Sequence, residues 1–139
     1  MGSEVQDVKQ WLESILILEE RIYQDEEQLA EIRTRLFSPT SPGYSERVRS
    51  SPRKSDAKDR LIDLENEIEG EKTELTERVR EATLAIRDIE DFKVEGVMYD
   101  KYIRHLTYNQ IADKRGYSYD YVRRLVKAGL KKMSENVRF

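Results

Sequence analysis

The sequence predicts an all-α protein: a long antiparallel helical hairpin of coiled-coil type, followed by a small helix-turn-helix head. Three observations predict it. Apolar residues recur at alternating three- and four-residue steps through two long stretches. All three prolines fall in the segment between those stretches. Residues 107–130 carry the caps, the glycine and the apolar spacing of two short helices joined by a tight turn. Composition agrees: of 139 residues, 38% are charged and 37% hydrophobic, which suits two-sided helices better than a large globular core.

The first helix is expected over residues 5–37. Val8, Trp11, Ile15, Leu18, Ile22, Leu29, Ile32 and Leu36 follow a seven-residue repeat, and Leu12 and Leu16 widen the stripe near its start. Asp25 occupies the one seam position that should be apolar. Residues 38–55 then form a long loop, with Pro39, Pro42 and Pro52, many serines, and a turn signal at Pro42-Gly43. Arg47, Arg49, Arg53 and Lys54 make it basic. A lid, a phosphate-contacting arm, a partner-binding segment and a plain connector are all open for it.

The second long helix is expected over residues 56–95. Leu61, Leu64, Ile68 and Leu75 keep the heptad, and Val79, Ala82, Ile86 and Ile89 resume it after a four-residue step, a stutter that locally unwinds a coil. Glu71 and Arg78 fall near the seam, and Gly70 lowers helix propensity. Glu65, Glu67, Glu69 and Glu71 alternate around the helix and read as a solvated face. Each helix would reach roughly 50–60 Å. A two-helix hairpin buries one stripe per helix, so a homodimer or higher oligomer is expected. The chain thus divides into a stalk over residues 4–95 and a head over residues 96–135. Gly96 is expected to supply the bend, and residues 97–103 the first head helix, with Val97, Met98, Tyr102, Ile103 and Leu106 packing behind the motif.

Within the motif, Thr107 caps a helix and Gln110 completes a capping box. Ile111 and Ala112 face inward, and Ala112 lets a second helix cross closely. Gly116 ends the first helix in the left-handed conformation. Ser118 caps the second helix, whose inner face holds Val122, Leu125, Val126 and Leu130. Its outer face offers Tyr119, Asp120, Arg123, Arg124 and Lys127, side chains that suit base edges and phosphates. The bland alternative is a helical hairpin with a solvated basic face. Tyr117 reads as core, Tyr108 as core edge or phosphate contact, Trp11 as core or interface, and His105 as a solvated or capping residue at a turn.

Charge is unevenly spread. Residues 98–139 hold ten Lys/Arg and four Asp/Glu, net +6; residues 1–97 hold fifteen and twenty-four, net -9, which together give -3. A basic end on an acidic body fits a DNA-binding module on an interaction stalk. There is no cysteine, so disulfide and thiol chemistry are excluded. With one histidine, neither a metal site nor any cofactor is expected. No convergent nucleophile and base and no glycine-rich phosphate loop is present, so an enzyme is not expected. No apolar run approaches the ~20 residues that span a bilayer, and no signal peptide is expected.

Tyr102-Ile103, Thr107, Gln110-Ile111-Ala112, Gly116-Tyr117-Ser118, Val122, Arg123 and Ala128-x-Leu130 resemble the −35-element-binding region four of bacterial sigma factors. Gly129, Tyr119 and Tyr121 depart from that pattern. Over residues 5–133 the chain is similar to small regulators of phages and mobile islands of the RinA/ArpU type. The shared pattern is Arg47-Val48-Arg49-Ser50-Ser51, then Leu61-Ile62-Asp63-Leu64-Glu65-Asn66-Glu67-Ile68, then Tyr102-Ile103 and Gly116-Tyr117-Ser118-Tyr119. The resemblance implies a transcriptional regulator acting in the bacterial cytoplasm on double-stranded DNA. It would activate late or packaging genes, with RNA polymerase as a further candidate partner. It implies base readout by Tyr119, Asp120 and Arg124, and backbone contacts by Thr107, Arg123 and Lys127. Tyr108 and Lys131 join the backbone set. The alternatives are a small terminase subunit, which usually carries its DNA head first, and a helical module that binds a host protein.

Overall fold

The computed structural model describes residues 2–37 and 52–136, and among them the fold is all-helical. The helices are α1 (Gly2–Phe37), α2 (Pro52–Arg87), α3 (Phe92–Tyr102), α4 (Tyr108–Arg115) and α5 (Tyr119–Asn136). Residues 38–51, most of the expected serine- and proline-rich loop, lie outside the described residues, and residues 52–55 belong to α2. α1 and α2 pack against each other as the expected antiparallel hairpin.

α2 stops at Arg87, short of the expected residue 95. The amides of Ile89 and Glu90 reach back only three residues, to the carbonyls of Ile86 and Arg87 (3.1 and 3.3 Å), so the helix tightens and closes. Glu90 then takes a left-handed conformation (φ 60°). Asp91 starts α3, its carboxylate accepting from the amides of Lys93 (3.1 Å) and Val94 (3.3 Å). The bend is therefore made by Glu90 and Asp91. Gly96, expected to make it, lies inside α3.

The chain forms two compact units: one combines Met1–Leu18 with Leu75–Phe139, the other is Glu19–Glu74. In the second unit Leu29 packs with Leu61, Leu64 and Ile68, flanked by Ile32 and Leu36. Two ion pairs register the helices, Glu26–Lys72 at 2.9 Å and Arg33–Glu65 at 3.0 Å. Exposed pairs of this kind contribute about 0–1 kcal/mol each, so the apolar stripe holds this unit. The expected solvated carboxylate face is only partly solvated: Glu67 and Glu71 converge with Asp25, their oxygens within 4.8 Å of one another. Asp25 and Glu71, polar interruptions of the two seams, thus meet across the hairpin.

In the first unit one core runs through every helix present. Val8, Leu12 and Ile15 of α1 join Ala82, Ala85, Ile86 and Ile89, then Val94, Val97, Met98 and Tyr102 of α3, Ile111 and Ala112 of α4, and Val122, Val126, Leu130 and Met133 of α5. Leu12 widens the α1 stripe as expected, whereas Leu16 is 44% exposed. Arg78, near the seam, donates to the Ser14 hydroxyl at 2.9 Å. α3 and α5 cross closely at Gly129: a Cβ there would lie 2.6 Å from Met98 Cγ and Sδ and 3.0 Å from Val94 Cγ1. The glycine that departs from the sigma-factor pattern is the contact point of this packing.

Candidate nucleic-acid interface

The head is built by local signals that the sequence carries openly. Thr107 Oγ1 accepts from the Gln110 amide (3.2 Å), and Gln110 Oε1 accepts from the Thr107 amide (2.9 Å), a complete capping box. Gly116 closes α4 with φ 69° and ψ 33°, its amide donating to the Ala112 carbonyl. Ser118 Oγ accepts from the Tyr121 amide at 3.1 Å and starts α5. Val122, Val126, Leu130 and Met133 are buried, which fixes the rotation of α5. Tyr119, Asp120, Arg123, Arg124, Lys127 and Lys131 are consequently all exposed.

The angle between α3 and α4 is locked by Asp100, which the sequence reading passed over. Its side chain is 1% exposed. Oδ1 accepts from Lys114 Nζ and Oδ2 from Arg115 Nε, each at 2.8 Å. Burial pushes this carboxyl up, but the bonds from Arg115 and Lys114 outweigh it and hold the group below its ordinary range. Gly96 gives Arg115 its path: a Cβ at Gly96 would sit 2.7–2.8 Å from the guanidinium. The signal available in the sequence was an acid in α3 preceding a Lys-Arg pair at the end of α4. Residues 14 and 15 positions apart do not announce themselves as partners without the turn geometry.

Tyrosines organise the exposed face. Tyr108 is half-buried, with Lys101 Nζ 4.6 Å from its ring centroid. Its ring meets Tyr119 edge to face at 5.6 Å, and Arg123 lies over Tyr119 at 5.9 Å. Tyr117 packs against the core and meets Tyr121 edge to face at 5.0 Å, with Arg124 over Tyr121 at 5.9 Å. Each arginine of the outer face thus rests on a tyrosine one turn back, which limits its rotamers before any ligand arrives. The Thr107 oxygen is occupied as a cap, while its hydroxyl proton can still donate. Lys127 and Lys131 extend the cationic face one and two turns beyond Arg123 and Arg124. His105 lies at the turn before α4 with φ 59°, and Trp11 is half-buried against the core.

Comparison of the chain with family models, with curated proteins and with solved structures finds no match. No helix among the described residues is long and apolar enough to cross a membrane.

Proposed function

We propose that this protein is a sequence-specific double-stranded DNA-binding transcriptional regulator. On the resemblance of its head and stalk, it acts as a phage-type activator of late or packaging genes at a promoter used by RNA polymerase. The observation that carries the reading is the capped α4–α5 pair, which turns Tyr119, Asp120, Arg123, Arg124, Lys127 and Lys131 outward on one helix. An α-helix fits the major groove, where an arginine can pair with guanine O6 and N7, worth about 1–3 kcal/mol of discrimination, and a carboxylate can accept from a cytosine amine. In this reading Arg124, Asp120 and Tyr119 contact bases. Arg123, Lys127, Lys131, Thr107 and Tyr108 contact the backbone. The acidic hairpin serves for self-association or for holding the polymerase.

The test is to incubate the purified protein with fragmented DNA of its source genome at physiological salt and sequence what it retains. One or a few enriched sites ahead of a gene cluster are expected. Enrichment no better than that of an Arg123→Ala/Arg124→Ala double variant would overturn the proposal.

A further inference from the structure

We infer that the first turns of α1 belong to the DNA-facing surface, with Lys9 as a contact to a backbone phosphate. This inference rests on the DNA-binding reading above. A groove of about 490 Å³ runs along one flank of α5. Lys9 of α1 lines it together with Tyr102 and Tyr108, and with Asp120, Arg123, Arg124 and Lys127 of α5. Four cations and one acid therefore border a single cleft. Three of those cations are already assigned to bases and phosphates, and the fourth comes from a helix some hundred residues earlier in the chain.

The placement follows from packing. Val8 and Leu12 are fully buried in the core that also holds Val126 and Leu130 of α5. Lys9 follows Val8, so it stands at the edge of the buried stripe and is itself half-buried. A lysine in that position covers apolar surface with its stem and leaves its ammonium at the rim. Around the rim the chemistry suits an anion. Burial, reinforced by Tyr108 and Glu13, pushes the Tyr102 phenol well above its ordinary range, so it remains a hydroxyl donor at any working pH. The phosphates of the strand bordering a helix in the major groove pass along that helix's flank, where this cleft lies.

The test measures affinity for a random-sequence duplex across a salt series, for the full chain and three variants. Lys9→Met keeps the stem and removes the charge, Lys9→Arg keeps the charge, and Lys127→Ala removes a cation already assigned to the backbone. Lys9→Met is expected to weaken binding about 3- to 10-fold near physiological salt and to flatten the log–log salt slope by about one unit. Lys9→Arg is expected to restore both, with thermal unfolding unchanged. If Lys9→Met binds as the wild type does while Lys127→Ala is weakened, the Lys9 contact is wrong and the DNA reading stands. If Lys9→Arg is as weak as Lys9→Met and both unfold earlier, Lys9 acts through packing and the inference fails. No salt-dependent binding by the wild type would overturn both.

Discussion

Two acidic residues act in opposite senses on this fold. Asp100 is a buried carboxylate held by two partly exposed cations, and removing its charge loses the two charge-assisted bonds that tie α3 to α4. Asp100→Asn should lower unfolding free energy by about 2–3 kcal/mol, read from denaturant midpoints. Its carboxyl is held below the ordinary value of 3.8, so its contribution is present above that pH and is lost as pH falls through the lower folded value. Glu71 behaves the other way. Both its carboxylate oxygens are shielded from water and meet no donor. Burial, then Asp25 and Glu67, raise it to about 7, with Arg21 opposing. In its protonated form Glu71 can itself donate toward Asp25. Because the folded value lies above the unfolded one, this contribution is full below about 4.5 and is lost as pH rises through about 7. Glu71→Gln should therefore raise the melting temperature at pH 8 by more than at pH 5. An equal change at both pH values would show that the carboxyl does not titrate there.

At the scale of helices, glycines distinguish packing from propensity. Gly129→Ala adds a methyl into Met98, an overpacking cost of about 1–3 kcal/mol that exceeds the ~1 kcal/mol gained in helix propensity. Gly70 has nothing within 4 Å of a Cβ. Gly70→Ala should thus stabilise the protein by roughly 0.5–1 kcal/mol. Unfolding midpoints that move in the same direction for both variants would contradict this account. The same contrast explains what could be read in advance. α4 and α5 were legible because their determinants are local: Thr107 with Gln110, Gly116, and Ser118 each act within four residues. The hairpin was legible from periodicity. The end of α2 was not, since Ile86 and Ile89 carry the stripe right up to the bend and conceal the left-handed Glu90. Nor were the Asp25–Glu71 and Asp100–Arg115 meetings, which depend on the register of packed elements. Lys9 was hidden for that reason too, as its groove exists only once α1 lies against α5.

For the whole molecule, the uneven charge would set the thermodynamics of the proposed DNA binding. An acidic stalk with net -9 over residues 1–97 would repel a duplex, while a head with net +6 over residues 98–139 would attract it. Affinity should therefore fall steeply with salt. Arg123, Lys127, Lys131 and Lys9 each neutralising one phosphate would give a slope of log affinity against log salt near −3.6. Arg124→Ala should cost sequence preference more than bulk affinity, and Lys127→Ala should weaken all sequences alike. Competition between a retained genomic site and random duplex measures both, and identical behaviour of the two variants would refute the assignment of base and backbone roles. The continuity of the core between α1 and α5 also has a consequence for biosynthesis. Val8, Leu12 and Ile15 leave the ribosome long before Val126 and Met133 exist, and at ~5–20 residues per second the wait is on the order of ten seconds. During that time the earliest apolar turns have only the hairpin to shelter them. Nascent α1 thus waits with its buried stripe uncovered until α5 has been synthesised, which makes it a segment for a chaperone to shield.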